Sequence, residues 1–275
     1  KNGYDRILIT HGNGPQVGRI FLQQELSKKE FPRQTPLDVC VADSQGRIGY
    51  ILQSAFDNTC AAAGIPKRAV TVVTQVVVDP EDPAFQAPSK PIGGFYTEEE
   101  ARKLRQEKKW VIREDAGRGY RRVIPSPHPL EIVEIPIFQE LLDRRIVAIG
   151  AGGGGIPVVR GPEDRFEGVE AVIDKDRTGA LLAAQVGLDI FISLTQVDCV
   201  YLHYNQSGQT PIFTARASEM ETWLEAGHFL EGSMKPKVES ALFFLKQGGQ
   251  KAVIAHLNDL VPALEGKRGT QIFPD

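Results

Sequence analysis

Two apolar, strand-like runs in this chain end in glycine-rich turns that open toward further structure, and that repeated junction restricts the fold more than any other feature. The first is Arg6-Ile-Leu-Ile-Thr10 running into His11-Gly-Asn-Gly-Pro-Gln-Val-Gly18. The second is the run 145–149 followed by Gly150-Ala-Gly-Gly-Gly-Gly-Ile-Pro157. Glycine lets backbone come close to a bound group, and Pro15 suits the first helical turn, where no N–H is needed. A strand feeding a helix start aims free N–H groups at one point, which makes an anion site. Four consecutive glycines remove every Cβ where backbone wraps something closely; a flexible turn is the plainer alternative.

The rest of the chain repeats the alternation. Strand-like runs at 6–10, 69–77, 110–113, 146–149, 190–194, 251–255 and 270–273 are separated by helical patterns. These fall at 15–29, 37–63, 97–108, 133–144, 174–186, 217–226, 237–247 and 259–264. Continuous apolar strands between helices indicate a mainly parallel sheet covered on both faces. The predicted fold class is α/β: a three-layer α/β/α sandwich with a mainly parallel central sheet, in one domain over 1–275. Ligands of such sheets bind outside the carboxyl ends of the strands, where both glycine turns would lie.

Composition narrows the function classes. The formal net charge of -3 argues against a surface built for nucleic acid or anionic lipid. The longest apolar runs are too short or too glycine-rich to cross a bilayer. Cys40, Cys60 and Cys199 are widely spaced with no CxxC, which fits reduced, buried thiols in the cytoplasm. The five histidines show no metal-ligand spacing, so no protein metal site is expected.

Residues 79–129 differ from the rest, with dense prolines and charges around a short helical stretch carrying Glu98/Arg102 and Glu99/Lys103 pairs. This reads as a small protruding lid subdomain that returns near Pro125. An idle exposed insertion is the alternative, but structureless loops this long are rare unless functional.

Two lysines stand where a helix disfavours a cation. In Glu170-Ala-Val-Ile-Asp-Lys-Asp176, Asp174 is a candidate N-cap, Asp176 follows it, and Lys175 opposes the helix dipole. In Gly232-Ser-Met-Lys-Pro-Lys-Val238, Lys237 sits at another loop-to-helix junction after Met234. A cation held against the dipole suggests an anionic partner, as phosphoryl transfer requires. For Lys237 alone an ordinary surface lysine is an even alternative. The stretch from Leu194 through Thr195 to Tyr201 either flanks a nucleotide base or ribose or is core strand and loop. The chain has no GxxxxGK[ST] phosphate loop and no GxSxG elbow.

Together these strings resemble the amino-acid kinase superfamily, and within it the carbamate kinase branch. Further matching strings are Asp43-Ser-Gln-Gly-Arg-Ile-Gly-Tyr50, Asp82-Pro-Ala-Phe-Gln86, Glu114-Asp-Ala-Gly-Arg-Gly-Tyr-Arg-Arg122, Pro125-Ser-Pro127 and residues 228–238. The resemblance spans essentially the whole chain. It implies phosphoryl transfer between carbamoyl phosphate and ADP, giving ATP and carbamate, with Mg²⁺ bound to the nucleotide, in a homodimer. Gly12, Asn13 and Gly14 would hold the transferred end through backbone N–H groups, and Gly152, Gly153 and Gly154 would line the same crevice. Lys175 and Lys237 would neutralise phosphate charge, with Asp174 and Asp176 orienting Lys175 or the metal-bound nucleotide. Thr195, Tyr201 and Met234 would complete the nucleotide site. Arg113 stands where the family carries a lid lysine, and Lys235 where a glycine is usual. The resemblance also implies that a first strand, a Gly-Gly-Asn-Ala loop and most of a first helix precede the segment 1–5. A non-catalytic kinase-like binding protein and a kinase of another small carboxylic acid are the competing readings; the 82–86 and 118–122 strings favour the carbamate branch.

Overall fold

The computed structural model describes residues 3–115, 117–230 and 232–275. Lys1 and Asn2 of the segment read as a helix end, Ala116 of the 114–122 string and Glu231 of the 228–238 string lie outside the described residues. The chain forms two compact units, Lys1–Thr178 and Gly179–Asp275.

In the first unit, β1 (Leu8–Ile9) leads into α1 (Gly14–Leu26), and α2 (Leu37–Ala62) precedes β2 (Ala69–Thr71) and β3 (Gln75–Val78). Then come β4 (Lys90–Tyr96), α3 (Glu98–Lys108), β5 (Ile112–Glu114), β6 (Tyr120–Ile124) and β7 (Pro129–Ile132). The unit continues through α4 (Ile135–Asp143), β8 (Val147–Ile149), β9 (Ile156–Arg160) and β10 (Phe166–Gly168), and its boundary falls within α5 (Lys175–Gln185).

Strand β8 lies between β1 and β2, parallel to both. All three of its residues are buried, as a parallel strand covered on both faces requires. Val147 and Ile149 pack with Ile9, Leu52 and Phe56, so α2 covers one face. The alternation of side chains turns Gly150 to the other, where a Cβ on it would meet the Phe138 ring of α4. A second ladder runs β10-β9-β3-β7, with β3 parallel to β9 and antiparallel to β7.

The single strand expected over 69–77 is therefore two strands in two ladders. The break has a cause in the packing against α2: Thr74 N–H donates to Gln45 Oε1 (2.8 Å), and Thr74 Oγ1 donates to the Val72 carbonyl (2.8 Å). Backbone committed to a side chain of α2 is withdrawn from a strand ladder.

Residues 79–129 contain a three-stranded antiparallel sheet, β4-β6-β5, with α3 across the connection. α3 starts with a reciprocal capping box between Thr97 and Glu100. β4 packs on α1 so closely that a Cβ on Gly18 would lie 3.2 Å from Gly93 N.

The second unit contains β11 (Ile190–Thr195), β12 (Val200–Leu202), β13 (Thr210–Ile212), β14 (Thr214–Arg216) and α6 (Ala217–Glu225). It closes with α7 (Met234–Lys246), β15 (Lys251–His256), α8 (Leu260–Leu264) and β16 (Thr270–Phe273). Its main ladder runs β11-β15-β16-β14, parallel at β11/β15 and β14/β16 and antiparallel at β15/β16. Along β15 the burial alternates by face. Ala252 and Ile254 pack with Met220, Val238 and Leu242 of α6 and α7, whereas Val253 and Ala255 pack with Ala263 of α8. Helix, sheet and helix thus form three layers, and the α/β class holds with parallel ladders extended by antiparallel strands. Helix α7 starts at Met234 rather than at 237, which places Lys237 inside its first turn. Among the described residues no helix is long and apolar enough to cross a membrane.

Candidate active site

The first glycine turn is held through the side chain of Asn13. Asn13, 3% exposed, ends the turn at the start of α1, yet its side chain does not cap that helix. Instead Asn13 Nδ2 donates to Ser44 Oγ of α2 (2.8 Å), and Ser44 Oγ donates to the Val41 carbonyl (2.6 Å). With no side-chain cap and no acidic residue in its first turn, α1 keeps a helix N-terminus suited to an anion.

The second turn interlocks with the first. Gly152–Gly154 forms a tight 3-10 turn, and Gly153 N–H donates to the His11 carbonyl (2.7 Å). A Cβ on Gly152 would lie 2.4 Å from the His11 ring, and one on Gly153 2.0 Å from the Asn13 amide nitrogen. One on Gly154 would lie 2.3 Å from the Ile173 carbonyl oxygen. Gly153 and Gly154 also have φ of +66° and +94°, a region that side chains disfavour. Gln45 Nε2 donates to the Gly152 carbonyl (3.1 Å), Thr74 Oγ1 accepts from Ala151 N–H (2.9 Å), and Thr178 Oγ1 donates to the Gly154 carbonyl (2.9 Å). Burial lowers the His11 pKa against a hydrogen bond with the Gly12 carbonyl that raises it.

Asp174 caps α5: its Oδ1 accepts from the N–H of Asp176 at 2.9 Å. Its Oδ2 accepts from Lys90 Nζ at 2.9 Å. Burial alone would raise the Asp174 pKa, but the Lys90 charge and these hydrogen bonds outweigh it and hold the carboxyl at about 2. Lys175 then opens the helix, pairs with Asp176 Oδ2 (2.7 Å) and runs past Gly12, whose added Cβ would lie 3.2 Å from Lys175 Cδ. Gly12, Asn13, Gly152, Gly153, Gly154, Asp174, Lys175 and Asp176 are thus joined through direct contacts in one region of the first unit. Around Gly14 an added Cβ would meet nothing within 4 Å. The turn is open there.

The second unit holds the other group of expected residues. Lys237 is only 8% exposed, and its Nζ donates to Ser193 Oγ of β11 at 3.2 Å. Thr195 ends β11, and its carbonyl accepts from Leu257 N–H. Tyr201, on β12, donates its hydroxyl to Asp198 Oδ1 (2.6 Å), a bond that raises the tyrosine pKa and lowers that of the carboxyl. Met234 starts α7 and packs against the unit's core. Arg113 is exposed on β5, in register with Arg121 of β6. Among the described residues it makes no side-chain hydrogen bond or ion pair with the glycine turns.

Several scaffold residues were not foreseen. Ser44 and Gln45 lie in the matching 43–50 string, but nothing local tells a buried glutamine that holds a turn from one on a helix surface. Lys90 and Thr74 carried no sequence signal, because their partners lie 84 and 29 residues away. Among the described residues no group of three or more His, Cys, Asp or Glu could hold a metal ion.

Residues 1–256 match the amino acid kinase family, and the chain belongs to that class of phosphotransferases. It is 48% identical over 274 residues to the carbamate kinase of Pyrococcus horikoshii, covering 99% of this chain and 86% of that protein. To the carbamate kinase of Trichomonas vaginalis it is 47% identical over 272 residues, 98% of this chain and 87% of that one. A solved structure of the Giardia lamblia carbamate kinase bound to AMP-PNP superposes with a TM-score of 0.92 at 44% identity, covering 99% of this chain and 86% of that one. Within the family, its kinship is with the carbamate kinases.

Proposed function

We propose that this chain is a carbamate kinase, transferring a phosphoryl group reversibly between carbamoyl phosphate and ADP to give ATP and carbamate. The observation that carries the reading is Lys175 lying against Gly12, beside two interlocked glycine turns, the second of which has no space for Cβ atoms at Gly152, Gly153 and Gly154. Toward ATP, a terminal β-phosphate oxygen of ADP attacks phosphorus, the P–O bond to the carbamoyl group breaks, and carbamate leaves with the bonding pair. Such a transfer asks for alignment and charge neutralisation, with no covalent nucleophile on the protein.

In this reading the N–H groups of Gly12, Asn13 and Gly14, with Gly152, Gly153 and Gly154, hold the transferred end. Lys175 neutralises the developing charge, and Asp174 and Asp176 orient it. Lys237 serves the nucleotide phosphates, Thr195, Tyr201 and Met234 serve the remainder of ADP, and Arg113 supplies a lid cation. Mg²⁺ enters as part of the nucleotide substrate. Residues 79–129 act as a lid on an otherwise single kinase domain. The chain works in the cytoplasm as a homodimer, a reading supported by Tyr50 and Ile51 of α2, apolar side chains 70% and 58% exposed.

The test is ATP formation from carbamoyl phosphate and ADP by the full-length protein. Retained ADP binding without turnover would leave only the non-catalytic alternative. Equal turnover of acetyl phosphate would move the acceptor to another carboxylic acid.

A further inference from the structure

Away from the glycine turns, the first unit has an open cleft of about 300 Å³ between α1, the start of α2, the end of α3 and β6. None of the expected catalytic residues lines it. Trp110 forms part of its wall. The Arg122 guanidinium carbon and Lys108 Nζ each lie 4.3 Å from the indole centroid. The Phe21 ring completes the aromatic wall 5.6 Å from Trp110. Arg122 is 5% exposed, so this guanidinium belongs to the cleft and not to bulk water.

The charges that line the cleft do not balance, and the exposed Lys28 is the excess. Three cations, Lys28, Lys108 and Arg122, line the cleft with two carboxylates, Glu25 and Glu170. Glu25 pairs with Lys108, and Arg122 pairs with Glu170 at 2.7 Å. The Glu170 side chain is 59% exposed, which makes it a partner that a bound anion can displace at small cost. Burial, and then the nearby Arg122 charge, lower the Lys108 pKa, the response of a cation held near another cation. An anion between them relieves that repulsion. Gln24, Gln34 and Thr35 belong to the same lining, where Gln34 Nε2 donates to the Gln24 carbonyl (2.8 Å) and Thr35 N–H to Gln24 Oε1 (3.3 Å), so this wall is polar and already ordered.

We propose that this cleft is a second ligand site, distinct from the glycine-turn site, which binds a small oxyanion, a phosphate or a carboxylate, between Lys28, Lys108 and Arg122. A ligand there bridges α1 to the sheet of residues 79–129, because Lys108 ends α3 and Arg122 lies on β6. The proposal does not depend on which phosphoryl acceptor the enzyme uses.

Trp110 is one of two tryptophans in these 275 residues, so Trp223→Phe, with any tryptophan outside them exchanged for Phe as well, isolates its fluorescence in the full-length protein. That protein is titrated with inorganic phosphate and, separately, with malonate, at ionic strength held constant with chloride. A saturable change in Trp110 emission is expected with at least one of the two, and which one saturates identifies the class of oxyanion. Lys28→Gln, at the exposed rim, should weaken the midpoint by about two- to fivefold, the range of a single exposed charge pair. Glu170→Gln, which removes the competing carboxylate, should tighten it by about the same factor. These opposite shifts separate an anion site from a purely structural cluster, and neither side chain is buried enough to threaten folding. The same titration on Lys175→Ala should be unchanged, which sets aside phosphate bound at the glycine turns. A response to both anions no different from chloride overturns the proposal. So does saturation that neither rim substitution moves.

Discussion

In the first compact unit the candidate site is made of backbone. Glycines at 152, 153 and 154 press against His11, Asn13 and Ile173, and the side chains of Ser44, Gln45, Thr74 and Thr178 serve to hold those turns in place. In the second unit the main candidate is a single buried cation, Lys237, held by Ser193 on a conventional helix-on-sheet scaffold. The contrast suggests how each part fails. A backbone cradle loses its shape when any side chain is added, because the interior is already close-packed. A buried lysine on a packed helix can be exchanged for an apolar side chain of similar length with the fold intact and its charge missing.

The largest effect should come where cation and cradle meet. Lys175→Ala should lower kcat by ~10²-fold or more in the carbamoyl phosphate and ADP assay, since a cation at developing charge acts mainly in the transition state. Turnover within a few-fold of wild type would remove Lys175 from the chemistry.

Gly153→Ala tests the cradle itself. The new methyl would overlap Asn13 in a left-handed backbone, so the protein should lose ~2–4 kcal/mol of stability in urea unfolding, together with its activity. An active, equally stable variant would mean that the turn is pliant and the contrast between the units is false.

Lys237→Met should do the opposite. Its thermal midpoint should stay close to wild type while kcat/KM for ADP falls by about tenfold or more. A collapse of stability with little change in the surviving activity would make Lys237 a structural lysine.

The smallest effect concerns Lys90 and is visible only in acid. Asp174 ionises at about 2 in the folded chain against a usual 3.8. A folded-state pKa below the unfolded one stabilises the fold above the unfolded value, and that contribution fades as pH falls through about 2. Lys90→Met removes the main opposition to burial, so its acid unfolding midpoint, followed by circular dichroism, should lie at higher pH than wild type. The stability gap between the two proteins should close toward pH 2. Coincident acid transitions would show that the Lys90–Asp174 pair contributes nothing to folding.

Most elements were legible in the sequence because their signals are local. The apolar run at 146–149, the glycines after it and the charged helical stretch at 97–108 each carry their meaning within a few residues. The short strands β4, β6, β9 and β10 were not, since a three- to seven-residue strand is defined by its partner more than by its own residues. The break at Thr74 was hidden for the same reason: it depends on Gln45, a helix away. At the site, glycines and lysines stood out by type and position, while Ser44, Gln45 and Lys90 look ordinary until folding brings their partners to them.

The amino-acid order by itself determined the α/β alternation, the two glycine turns and the lysines set against helix dipoles, because propensity, periodicity and capping act over one or two turns of chain. Only the tertiary structure decided that His11 and Asn13 lock against Gly152 and Gly153, that Lys90 holds Asp174 ionised, and that Arg122 lies beneath Trp110 with Lys108. The first two of those pairings join residues 84 to 141 positions apart, the third needs the turn between α3 and β6 to fold back, and the geometry that makes a charge or a missing Cβ matter exists only after the core has packed.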